Sequence, residues 1–343
     1  MTLPEKIAVI GAGSWGTALA GLLAGKGMVV DLWAHRQEQA EALGRDRENR
    51  AYLSGYPLPD LIRPTADLAA SVAGKKVVVM VVPSHGYRQV FSQLAPHLAA
   101  DAAIISATKG IEQESLRTMN QVMAEVLAEL RPDFRGSLGV LAGPSFAREV
   151  AESTPTAVTV GGSTMEAARF FQEVFFTDRF RVYAGTDVIG MELGGALKNI
   201  EAIGAGICDG MGLGTNSRAA LITRGLAEIT RLGVAMGANP HTFAGLAGLG
   251  DLVLTCTGSL SRNRQVGLKL GQGMTLNQIL AEMNMVAEGV KTTASAHALA
   301  AQMGVEMPIL EEVWQVLYQD KPCAEAVAAL MGRGQKEEIG FPI

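Results

Sequence analysis

The chain has 343 residues, of which 48% are hydrophobic and 18% charged, with a formal net charge of -5. This is a globular composition, long enough for two domains that each bury a core. Its acidic balance argues against a broad nucleic-acid footprint or an electrostatic membrane anchor. Cys208, Cys256 and Cys323 are odd in number and lack metal-ligand spacing, so a reduced cytoplasmic protein without a metal site is expected. The apolar start at Lys6 to Ile10 is interrupted by Gly11, and the stretch from Phe243 to Cys256 holds Asp251 and is too short to span a bilayer. Neither an export signal nor membrane residence is expected.

In chain order, Ile7 to Ile10 reads as a short buried strand, followed at helical spacing by Trp15, Ala18, Leu19, Leu22 and Leu23. Val29 to Trp33 is a second strand. Val77 to Val82 is an unbroken β-rich run ending at Pro83, as a parallel strand covered on both faces should be. Ile104 to Ala107, Leu138 to Leu141, Ala157 to Val160 and Arg181 to Tyr183 complete the strands, with helical stretches between most of them. This rhythm predicts an α/β fold, a Rossmann-type doubly wound parallel sheet. Beyond Gly185 to Gly190 the periodic segments are helical: Met191 to Asp209, Ser217 to Gly233, Leu276 to Asn284, Thr293 to Met303 and Ile309 to Tyr318. The division expected is a dinucleotide-binding domain over 1–188 and an all-α domain over 189–343.

Gly11-Ala12-Gly13-Ser14-Trp15-Gly16 is a G-x-G-x-x-G between strand and helix. One glycine permits the tight turn, the next admits a pyrophosphate, and the third lets helix and strand pack closely. The helix N-terminus offers N–H groups to the phosphates. After the second strand, Asp31 lies at about the distance of a ribose-binding acid, but Leu32 and Trp33 continue the strand beyond it. His35 and Arg36 leave the strand instead, and a guanidinium there suits a 2′-phosphate. NADP(H) is favoured, with NAD(H) usable.

Thr108-Lys109-Gly110-Ile111 and Gly143-Pro144-Ser145-Phe146-Ala147 follow strands at the carboxyl edge, where open α/β sheets bind ligands. Lys198 stands in a helix interrupted by Gly190, Gly194, Gly195, Gly204 and Gly206, each costing about 1 kcal/mol against alanine. That cost implies that something approaches the helix closely. A lysine desolvated there moves toward useful acid–base range, the alternative being a surface i,i+3 pair with Glu201. Asp251 is either a helix cap or a partner for a substrate hydroxyl or Lys198. The loop Thr255 to Arg264, ending in Ser261-Arg262-Asn263 before a helix, suits a phosphate.

Taken in order, these blocks resemble the bacterial NAD(P)-dependent glycerol-3-phosphate dehydrogenases over essentially the whole chain. The resemblance rests on Gly-Ala-Gly-Ser-Trp-Gly from Gly11, Ala-Thr-Lys-Gly from Ala107, Ala-Gly-Pro-Ser-Phe-Ala from Ala142, Leu-Lys-Asn from Leu197, Gly-Leu-Gly-Asp-Leu from Gly248, Ser-Arg-Asn from Ser261 and Ala-Glu-Gly-Val from Ala287. It implies that Lys198 is the general acid/base in the interconversion of dihydroxyacetone phosphate and glycerol 3-phosphate. Substrate would be held by Lys109, Gly143, Ser145, Lys198, Asp251, Ser261, Arg262 and Asn263. The cofactor would be lined by the glycine turn with Ser14 and Trp15, and by His35, Arg36, Tyr52, Lys109, Ala147, Arg262, Val286 and Glu288. It also implies a cytoplasmic homodimer supplying phospholipid synthesis. Ser54 and the Gly194-Gly195 pair depart from the family pattern. Rival readings are a related β-hydroxyacid or sugar-acid dehydrogenase, which needs a carboxylate partner, and a dinucleotide sensor, which needs no lysine.

Overall fold

The computed structural model describes residues 3–283, 287–335, 337 and 338. The chain forms two compact units, the first running to Glu192 without residues 113–116, the second comprising 113–116 and the chain from Leu193.

The first unit is built on strands β1 (Lys6–Ile10), β2 (Val29–Trp33), β3 (Glu48–Asn49), β4 (Leu53–Pro57), β5 (Ile62–Thr65), β6 (Val77–Met80), β7 (Ala103–Ser106), β8 (Ser137–Ala142), β9 (Thr156–Gly162) and β10 (Phe180–Gly185). Eight of them form one sheet in the order β10-β9-β8-β7-β6-β1-β2-β5, and β3 pairs with β4 separately. The central strands are apolar along most of their length because both faces are covered. Ile7, Val9, Val77 and Val79 enter one core with Leu19, Leu23 and Phe171, whereas Ala8, Ile10, Val78 and Met80 enter the other with Tyr87, Phe91 and Met123. Successive side chains of a strand point to opposite faces, so one run of valines serves two cores.

The expected doubly wound sheet is present, with a difference at one edge. β9 pairs antiparallel with β8 and parallel with β10, so the last two strands run against the other six. Three strands escape the sequence pattern. β5 reads Ile-Arg-Pro-Thr and contains Pro64, which is tolerated because this strand lies at the sheet edge. β3 and β4 are a short, largely polar hairpin.

No strand occurs among the described residues of the second unit. Its long helices are Val188–Gly210, whose last eighteen residues belong to it, Gly214–Ala235, Glu288–Met303 and Pro308–Tyr318. Its shorter helices include Asp251–Thr257, Cys323–Met331 and Arg262–Gly271, the last where the Ser261-Arg262-Asn263 motif leads into a helix as expected. Helices Val188–Gly210 and Arg262–Gly271 cross in backbone contact. A β-carbon on Gly206 would strike the Arg264 carbonyl, and one on Gly271 would stand 2.6 Å from the Ile207 carbonyl oxygen. The glycines that weaken each helix alone are what let the pair approach.

Candidate active site

The first unit presents its ligand edge at the carboxyl ends of the parallel strands. Gly11 leaves β1 at φ +121°, donates its N–H to the Trp33 carbonyl at 3.1 Å, and would place a β-carbon 2.6 Å from the Val81 carbonyl oxygen. On Gly16 a β-carbon would collide with the Gly11 carbonyl. On Gly13 it would meet nothing within 4 Å. The helix that follows, Ser14–Gly25, has no side-chain cap at its N-terminus. The buried indole N–H of Trp15 has no partner among the described residues. Open space above Gly13, uncapped amides and an orphaned donor fit a bound pyrophosphate. The turn is also braced from outside, since Gln39 and buried Asn49 donate side-chain N–H groups to the Ala12 carbonyl at 2.8 and 3.0 Å.

Asp31, the acid at about ribose-binding distance, has a partner of its own. It lies inside β2 and its carboxylate pairs with the buried Lys75 ammonium at 2.5 Å. His35 and Arg36 are exposed just past the strand, with the His35 ring edge-on to Trp33 at 5.8 Å. Tyr52 is half-buried in the turn between β3 and β4.

Lys109 leaves β7 and its ammonium donates to the Gly143 carbonyl at 3.2 Å. The Ser145 hydroxyl donates to the same carbonyl at 3.0 Å. Gly143 leaves β8 at φ +119°, with Val158 against it, so a side chain is excluded there on two grounds. Ala147 opens the helix that follows. Lys109, Gly143 and Ser145 therefore form one cluster.

In the second unit Lys198 is 6% exposed and ion-paired with Asp251, which is 0% exposed. Asp251 is the first residue of its helix, and its carboxylate is turned to the lysine. The surface pairing of Lys198 with Glu201 is overturned, because Glu201 is also buried and lies against Gly225. The buried Asn263 amide donates to Asn199 Oδ1 at 2.9 Å and its oxygen accepts the Gly289 N–H at 3.0 Å. This strut joins the residue after Lys198 to the residue after Glu288. Ser261 is buried and caps the Arg262–Gly271 helix by accepting the Arg264 N–H at 3.2 Å. Arg262 makes no hydrogen bond or ion pair among the described residues; burial lowers its pKa, partly offset by the field of Glu288. A half-buried guanidinium in that state is suited to receive an anion. Val286 lies outside the described residues.

Two family models match in succession: the N-terminus of NAD-dependent glycerol-3-phosphate dehydrogenase over residues 6–168 and its C-terminus over residues 187–328. The glycerol-3-phosphate dehydrogenase [NAD(P)+] of Desulfotalea psychrophila is 56% identical over 336 residues, covering 98% of this chain and 99% of that one. The chain belongs to the NAD-dependent glycerol-3-phosphate dehydrogenase family. The dehydrogenase of that name from Geobacter sp. strain M21 is 57% identical over 98% of this chain and 99% of its own. The crystal structure of glycerol-3-phosphate dehydrogenase from Coxiella burnetii matches with a TM-score of 0.91 at 41% identity, covering 96% of this chain and 99% of that one.

The glycerol-3-phosphate dehydrogenase fold thus carries supports that the motifs did not reveal. Asn49 and Gln39 hold the glycine turn from positions without a recognisable spacing, and Lys75 occupies Asp31. Among the described residues no set of three or more His, Cys, Asp or Glu side chains is arranged to hold a metal ion, and no single helix is long and apolar enough to cross a membrane.

Proposed function

We propose that this chain reduces dihydroxyacetone phosphate to sn-glycerol 3-phosphate, and the reverse, with Lys198 as general acid/base. The observation that carries this reading is the buried Lys198–Asp251 pair. A buried carboxylate offsets the desolvation of the ammonium and aims it. The glycine turn with Ser14 and Trp15, together with His35, Arg36, Tyr52, Ala147, Val286 and Glu288, would hold the nicotinamide cofactor. Bound there, NAD(P)H supplies the hydride. Lys198 donates its proton to the carbonyl oxygen as that oxygen becomes the product hydroxyl, and the neutral amine takes it back in the reverse direction. Lys109 stabilises negative charge developing on the oxygen and contacts the cofactor. Gly143 and Ser145 orient the substrate. Ser261, Arg262 and Asn263 receive its phosphate, Arg262 through its guanidinium and the other two from the first turn of their helix.

Arg36 favours NADP(H) over NAD(H), because a 2′-phosphate gives the exposed guanidinium a bidentate partner. We also infer a cytoplasmic homodimer that supplies glycerol 3-phosphate for phospholipid synthesis. Oxidation of NADPH and NADH by the purified protein, with dihydroxyacetone phosphate as acceptor, tests the reading. Rapid oxidation supports it; bound cofactor without turnover sinks it and redirects attention to hydroxyacid substrates.

A further inference from the structure

The Ala12 carbonyl, inside the glycine turn, receives two donors from elements that carry no part of the glycine motif. Gln39 Nε2 reaches it at 2.8 Å from the first turn of the Gln37–Asp46 helix, and Asn49 Nδ2 at 3.0 Å from the end of β3. The same Asn49 amide also donates to Thr17 Oγ1 at 2.7 Å. Asn49 and Thr17 are buried and Gln39 is half-buried. A carbonyl oxygen offers two lone pairs, and two donors engage this one.

These bonds fix a peptide plane. Ala12 and Gly13 share it, and in a planar trans peptide the C=O and N–H point in opposite directions. A carbonyl held toward Asn49 and Gln39 therefore turns the Gly13 N–H away from them. The next plane is held as well, because the Gly13 carbonyl accepts the Thr17 N–H at 2.9 Å and Thr17 is the residue whose hydroxyl Asn49 engages. One side-chain amide thus acts on both planes that flank Gly13. Without such support the glycine, lacking a side chain, is the loosest point of the turn. The Gly13 N–H donates to no group among the described residues, and a β-carbon on Gly13 would meet nothing within 4 Å.

We propose that Asn49, with Gln39 as a second support, is a positioning residue for the cofactor, holding the Ala12–Gly13 peptide so that the Gly13 N–H is presented to the dinucleotide's pyrophosphate. This rests on the glycine turn being the pyrophosphate site. A donor oriented beforehand binds an anion without a further ordering cost. NADPH and NADH carry the same pyrophosphate, so the support serves both alike, unlike a contact to the 2′-phosphate.

The test is calorimetric titration of the full chain and of Asn49→Leu, a change that nearly keeps the shape and removes the donor, with NADPH, ADP-ribose and 2′-AMP. NADPH and ADP-ribose, which carry the pyrophosphate, should each bind the variant about tenfold more weakly. The affinity for 2′-AMP, which carries none, should match that of the wild type, and kcat at saturating NADPH should stay within about twofold. An unchanged affinity for ADP-ribose overturns the proposal, as does an equal loss for 2′-AMP, the mark of a general loosening of the unit. A wild type that does not bind ADP-ribose removes the pyrophosphate site itself and the proposal with it. Should Asn49→Leu not fold, Gln39→Leu, which removes the half-buried donor, decides by the same comparison: weaker ADP-ribose binding with 2′-AMP unaffected supports the proposal, and any other pattern overturns it.

Discussion

Lys198 and Asp251 are separated by 53 residues of chain yet form a buried ion pair. Their meeting has a backbone cause. Gly194, four residues before Lys198, is pressed against Ala247, four residues before Asp251, so closely that a β-carbon on the glycine would strike the Ala247 carbonyl. From that contact four residues of α-helix carry the lysine, and four residues through the π-helical turn Leu246–Gly250 carry the carboxylate, to each other.

Replacing Lys198 by methionine should lower kcat by about 10²- to 10⁴-fold, the range for loss of a general acid, while cofactor affinity measured by fluorescence titration stays within a factor of two or so. A fully active variant would remove the lysine from the mechanism. Asp251→Ala leaves the ammonium buried without its partner and should cost about 3 to 5 kcal/mol of stability, readable in a urea titration, beyond its effect on turnover.

Gly194→Ala tests the approach that assembles the pair. Helix propensity alone predicts a gain of about 1 kcal/mol. The collision with the Ala247 backbone reverses that sign, because a backbone carbonyl cannot swing aside as a side chain can. A lower denaturation midpoint with a reduced kcat is expected; a more stable and equally active protein would show that the contact is slack.

Arg36→Ala should raise the KM for NADPH by about tenfold or more and leave that for NADH little changed, since only the former loses a charge-assisted bond. Equal effects on both cofactors would make Arg36 a general surface charge.

Arg262→Ala should raise the KM for dihydroxyacetone phosphate by at least about tenfold. The penalty should shrink for a substrate analogue lacking the phosphate, and the dependence of KM on ionic strength should weaken. A penalty that ignores the phosphate would assign the guanidinium to the cofactor alone.

The sheet was legible because buried parallel strands show themselves as unbroken apolar runs such as Val77 to Met80, and because the spacing of Gly11, Gly13 and Gly16 encodes local geometry. The costly glycines of the Lys198 helix announced a close neighbour for the same local reason, but not which one. Identifying Ala247 and Arg264 as those neighbours required the packed structure. So did the pairing of Asp31 with Lys75, the turning of Asp251 toward Lys198, and the burial of Glu201 against Gly225. Each is a contact between residues far apart in sequence, and a charged side chain carries no mark of the partner it will meet. The reversed direction of β9 and β10 escaped for a related reason: strand direction depends on how the chain crosses over, and the side-chain alternation of a strand is the same in either direction.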